Sequence, residues 1–175
     1  MAIHANKEDL IAEALMEYIQ VAKSCIETDK GNGGCFGYPA AALLFICIDA
    51  IGSYHRGSSG YRVKIDGKDL KIDGGASKHY RILADPDYFG LQLSLKQIEK
   101  LYDQYRCLLV HNAAMKGGNV LAVGEASDPP FHFGADGNVQ WVNLVPLFDI
   151  VSTAVSKFLA EGKATISASR QAKAI

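Results

Sequence analysis

Apolar residues recur at three- and four-residue steps over four stretches of the chain, separated by segments that are polar, alternating or rich in glycine. From Lys7 to Glu27 the residues Leu10, Ile11, Ala14, Leu15, Tyr18, Ala22, Cys25 and Ile26 share one face, and Asn6 stands where an N-cap is needed, which predicts an amphipathic first helix. A second helix, Pro39 to about Tyr54, is apolar on every side and must be buried nearly all round; Pro39 falls in its first turn, where a missing N–H has no intrahelical partner to lose. Ser94, with Gln97 three residues on, forms a capping box that opens a third helix. Its stripe of Leu95, Ile98, Leu101, Tyr102, Tyr105, Leu108 and Leu109 runs on to Met115, and Gly117-Gly118 ends it. The fourth helix takes Asn143 as N-cap, has Pro146 in its first turn, buries Leu147, Ile150, Val151, Ala154, Val155, Phe158 and Leu159, and closes at Gly162.

Between the helices the period changes from about 3.6 to two. Tyr61 to Ile65 and Asp69 to Ile72 alternate apolar with charged residues around Asp66-Gly67-Lys68, which predicts a small hairpin with Val63 and Ile65 facing inward and Arg62, Lys64 and Lys71 forming a basic outer face. Phe131 to Phe133 and Val139 to Val142 form a second hairpin around Gly134 to Asn138, with His132 on the face opposite its flanking phenylalanines and hence at the surface. Asn119 to Val123 suits a short strand, and Gly74 to Asp87 reads as irregular surface with one turn at His79 to Leu83. The glycine-rich run Gly31 to Gly37 follows a helix and matches neither common phosphate-loop motif, so it is read as a connector. Gly57 to Gly60 stops the second helix, and the tail, Lys163 to Ile175, is either frayed or held by contacts that its weak periodicity does not reveal. The expected fold is mainly α: a single domain over 1–162 with one or two hairpin insertions at about 61–73 and 131–142, then a tail over 163–175.

Composition narrows the function classes without choosing one. The net charge of -1 exerts no global pull on nucleic acid or on an anionic membrane, but residues 56 to 81 hold seven Lys or Arg against three Asp, a local basic surplus. Arg62, Lys64 and Lys71 are therefore the candidate nucleic-acid contacts, although no aromatic platform is interleaved with them. The cysteines, Cys25, Cys35, Cys47 and Cys107, have no CxxC spacing, so neither a disulfide framework nor a metal site is expected. No signal-like segment begins the chain, and Ala40 to Ile48 falls short of the ~20 residues that span a bilayer. The expectation is a cytoplasmic protein with no membrane partner and no cofactor.

Candidate chemistry gathers at Tyr105 to Asn112. Arg106 and His111 put a permanent cation and a titratable ring into an apolar helix, and such groups need partners. Asp49, an acidic residue in the all-round apolar second helix, is costly alone and is the expected partner of Arg106. On that account the pair only fixes the register of two helices. A shared site has a geometric obstacle, because five residues of regular helix put Arg106 and His111 about 140° apart in azimuth and about 7.5 Å apart along the axis. Either the Arg side chain swings over, the last turns distort, or a second copy completes the site across a twofold interface.

Arg106-Cys107-Leu108-Leu109-Val110-His111, late in a helix and preceded by an apolar helix that carries Asp49, resembles the R-x(4-6)-H signature of the HEPN superfamily. The resemblance covers residues 39–53 and 94–115 and implies a four- to five-helix bundle, commonly a homodimer, with the Arg and His of both copies lining a cleft. Active members of that family are metal-independent ribonucleases. By that likeness His111 serves as general base or acid, Arg106 stabilises the phosphoryl charge, Asp49 orients Arg106, Asn112 offers an amide to substrate, and Tyr105 supports the pair. Cys107 departs from the polar residue that often follows the Arg in nucleolytic members. Other members bind RNA or nucleotides without turnover, or dimerise with a partner protein, and both alternatives extend to this chain.

Overall fold

The computed structural model describes residues 6–31, 33–56, 60–73, 76–112, 114–115 and 117–169. The predicted helix stop at Gly57 to Ser59 and the tail beyond Ser169 lie outside these. The architecture is mainly α, with helices α1 (Lys7–Glu27), α2 (Gly37–His55), α3 (Leu95–Leu101), α4 (Leu108–Asn112), α5 (Leu144–Glu161) and α6 (Lys163–Ala168).

Helix α2 is the axis of the fold. It contacts α1, α5 and α6, residues 76–84, residues 102–112 and the strand at 120–122. By length and composition it could cross a bilayer, but here Ala40, Ala41, Leu44, Phe45, Cys47, Ile48 and Ile51 are buried among the other helices. Burial pushes the Cys47 thiol up to about 12, so it stays protonated. Asn6 caps α1 as expected, accepting from the Asp9 amide at 2.8 Å.

Strands β1 (Arg62–Ile65) and β2 (Lys68–Lys71) form the first hairpin. Asp66 and Gly67 both have positive φ, 50° and 74°, the conformation of a type I′ turn. Val63 and Ile65 are buried while Arg62, Lys64 and Lys71 are exposed. The hairpin is a clamp between its neighbours. Tyr61 donates its hydroxyl to Asp85 at 2.6 Å, Arg81 donates to the Lys71 carbonyl at 2.8 Å, and Asp66 accepts from the Leu95 amide at the start of α3.

Residues Ala76–Ala84 correct the expectation of irregular surface: they form a nine-residue 3-10 helix with His79, Tyr80, Ile82 and Leu83 buried. Such helices rarely exceed three or four residues. This one is held from outside. Tyr80 donates to the Phe45 carbonyl of α2 at 2.8 Å, and a Cβ on Gly52 of α2 would stand only 2.2 Å from the His79 carbonyl oxygen.

The predicted third helix is an unbroken helical run from Leu95 to Asn112, but it is not α-helical throughout. The capping box at Ser94 and Gln97 opens it, but α3 ends at Leu101 and a π-helix follows over Tyr102–Cys107 before α4. The second hairpin is likewise part of a larger sheet: β3 (Val120–Ala122), β4 (Phe131–Phe133) and β5 (Val139–Asn143) are ordered β3-β5-β4, with β3 parallel to β5 and β4 antiparallel to it. His132 lies on the outer side, its ring stacked 4.2 Å from that of Trp141. Asn143 is the N-cap residue of α5 as expected, but its side chain makes no capping hydrogen bond; its Nδ2 donates to the Pro129 carbonyl at 2.7 Å. The start of the tail forms α6 and buries Ile166 in the core.

An alanine inside a helix ordinarily stabilises it relative to glycine by about 1 kcal/mol. Gly52→Ala is expected to do the opposite, lowering the unfolding free energy by about 1–3 kcal/mol as the 3-10 helix is forced away. Gly117→Ala, where a Cβ meets nothing within 4 Å, is the control. Denaturant unfolding of both variants checks this, and an unchanged Gly52→Ala midpoint would contradict the close packing.

Candidate functional site

Arg106 and His111 meet through the reach of the long Arg side chain, since the π-helix ends at Cys107 and Leu108–Asn112 is ordinary α-helix. Within the π-helix itself the i→i+5 bonding brings side chains five apart onto one face. Arg106 Nη1 lies 2.9 Å from His111 Nε2. Tyr102 and Cys107, also five apart, interact through their side chains. A guanidinium has no acceptor, so the His111 Nε2 must accept, which puts the ring proton on Nδ1.

The other side of Arg106 is tied to α2. Its Nη2 donates to Asp49 Oδ2 at 3.1 Å, and its guanidinium carbon lies 5.4 Å from the centre of the Tyr102 ring. Asp49 Oδ1 is 2.5 Å from His79 Nε2. Both carboxylate oxygens are thus engaged, by side chains from two different segments. Burial pushes the Asp49 carboxyl up, but the hydrogen bonds and charges of His79 and Arg106 outweigh it and hold the group below the usual carboxylate value. For Arg106 burial favours the neutral form, and the Asp49 carboxylate more than reverses this. A carboxylate only accepts, so His79 Nε2 carries a proton.

The two ends of this chain of contacts differ in exposure. The side chain of His79 is 7% exposed, those of Asp49 and Arg106 are 22% and 19%, and His111 is open to solvent. Buried Tyr80 and the flanking Tyr102 meet the His79 ring edge-on, and burial raises both phenols, so they form uncharged walls. The row therefore starts in the core and ends at the surface.

No family model, curated protein or solved structure matches the chain. The site is accordingly read from its own geometry.

Arg106, His111 and Asp49 are brought together, and Asn112 is exposed in the same short helix as His111. Tyr105 is not part of the open site. It is fully buried, stacked on Phe45 at 5.7 Å, and donates to the Val120 carbonyl at 3.4 Å, so it anchors the π-helix to β3. Gln104 does the same for β5: it accepts from the Val139 amide and donates to Asn138. Cys107 lies beside Tyr102. Arg62 donates across its own hairpin to the Asp69 carbonyl, and it and Lys64 and Lys71 sit on the clamp. A cleft of about 650 Å³ between that hairpin and residues 84–97 is lined by polar and apolar residues alike, among them Lys64, Asp66, Leu91 and Gln97, and does not include the Arg-His pair. Among the described residues no group of three or more His, Cys, Asp or Glu is placed to hold a metal. Sequence reasoning missed His79. The available signal was that a carboxylate has two oxygens, and Arg106 accounts for one.

A carboxyl held below its ordinary value contributes stability that is complete above its unfolded pKa of about 4 and is lost as pH falls through the lower folded value. Asp49→Asn is therefore expected to cost roughly 1–3 kcal/mol at neutral pH by leaving two donors poorly paired. The difference from wild type should narrow as pH falls below about 4. Urea titrations across pH check this; a gap that holds constant to the acid limit of folding would contradict the ionised role of Asp49.

Proposed function

We propose that the chain is a HEPN-like, metal-independent endoribonuclease that works as a homodimer, with Arg106 and His111 acting on an RNA phosphodiester. The observation that supports this most directly is the 2.9 Å approach of a solvent-open imidazole to a guanidinium already anchored by a carboxylate. A guanidinium grips a phosphate through parallel donors, and imidazole exchanges protons near neutral pH. In the proposed reaction a phosphate oxygen takes Nη1 from His111. The freed Nε2 accepts the 2′-hydroxyl proton as that oxygen bonds to phosphorus. The bond from phosphorus to the 5′-oxygen breaks, and the second copy's imidazolium protonates the leaving oxygen. The products are a 2′,3′-cyclic phosphate and a 5′-hydroxyl, and Arg106 offsets the charge that builds on the phosphoryl oxygens.

A second reading also has a specific observation behind it. Both Asp49 oxygens are satisfied within the fold, so Arg106 has structural work to do whatever it binds. In a non-catalytic RNA- or nucleotide-binding or dimerisation module the same residues would grip a phosphate or a partner protein without turnover.

Purified protein is expected to cleave RNA in the presence of a chelator and leave 2′,3′-cyclic phosphate ends. His111→Ala should abolish cleavage with little change in melting temperature, since that ring is exposed, whereas Arg106→Ala should lower both. Equal cleavage by wild type and His111→Ala would defeat the enzymatic reading, and salt-sensitive binding of intact RNA by both would favour the second.

A further inference from the structure

His79 is buried, it comes from a segment whose helix type is itself unusual, and α2 gives up a Cβ at Gly52 to let its backbone approach. Its Nε2 is committed to Asp49, while its buried Nδ1 has no hydrogen-bond partner among the described residues. Arg106 Nε is likewise unpartnered, so the aim of that guanidinium is set by one hydrogen bond to Asp49, one to His111 and the Tyr102 face. A carboxylate held at one oxygen can rotate about its last side-chain bond. Held at both, it cannot.

The geometry points to His79 as a positioning residue: by pinning Asp49 Oδ1 it fixes the carboxylate plane, directs Oδ2 to Arg106 Nη2 and so aims Nη1 at His111. This rests on the reading of Arg106 and His111 as a functional pair, and extends that pair inward by two residues. The charged and titratable groups facing Asp49 are His79 and Tyr80 from the 3-10 helix and Tyr102 and Arg106 from the π-helix. Tyr80 spends its hydroxyl on the Phe45 carbonyl, so it offers no substitute donor. A triad-like logic results, in which a buried third group orients the partner of the exposed imidazole.

The test compares three substitutions by the ring nitrogen signals of His111 in ¹⁵N-labelled full-length protein. Gln can place a donor near the position of Nε2, Asn is polar but too short to reach it, and Leu fills volume without donating. In wild type His111 should carry its proton on Nδ1, because Nε2 accepts from Arg106. His79→Leu and His79→Asn should shift it toward the Nε2–H form common to an unrestrained imidazole, and His79→Gln should restore the Nδ1–H form. If Leu prevents folding, the Asn variant decides. A His111 tautomer that stays at Nδ1–H in Leu or Asn variants overturns the inference. RNA cleavage is measured in parallel, where kcat for His79→Leu should fall on the order of 100-fold, the penalty of a roughly 1 Å misplacement, with KM little changed. Wild-type protein that cleaves no RNA would sink the ribonuclease reading and leave the tautomer to decide the role of His79.

Discussion

A single carboxylate in an otherwise apolar helix constrains most of this structure. Asp49 is flanked in α2 by Cys47, Ile48, Ala50 and Ile51, and a largely enclosed carboxylate without donors would be driven toward protonation. The fold answers with two donors from two segments: His79 reaches one oxygen from a 3-10 helix, and Arg106 reaches the other from a π-helix. Neither segment is a regular α-helix, and each is held by contacts that bring its donor to the same carboxyl. Gly52 admits the first. Gln104 and Tyr105 tie the second to the sheet.

Arg106 has a second contact. Its long side chain joins the Asp49 carboxylate, on the inner side, to His111, which is open to water. An exposed imidazole thereby receives an orientation that originates in the core. This gradation from buried to exposed is what an active site requires, since rigid support must meet a mobile substrate at some surface. The same gradation would serve a module that only grips phosphate.

Much of the scaffold was legible in the sequence. Periodicity located α1, α2 and α5 to within two residues at each end, and the Asp66-Gly67 turn and the Ser94 capping box followed from their own local chemistry. The Asp49–Arg106 pair followed from the cost of leaving either alone. The remainder was hidden for identifiable reasons. The stripe from Leu95 to Leu109 suits an α-helix, and the wide turn at Tyr102–Cys107 arises from tertiary partners of Gln104, Tyr105 and Arg106 that lie far away in sequence. Residues Ala76–Ala84 repeat every three positions, too few times to stand out, and so His79 looked like surface. Tyr105 was expected to support the pair, whereas the helix turns it toward Phe45 and β3.

The contact between the Arg106 guanidinium and the His111 imidazole carries everything proposed for this site. Its most direct measurement is the scalar coupling transmitted through an N–H···N hydrogen bond, recorded in ¹⁵N-labelled protein at neutral pH and low temperature. A resolved coupling between an Arg106 η nitrogen and His111 Nε2 is predicted. Its absence, with His111 Nε2 bearing a proton exchanging freely with water, would show two residues that merely share a helix.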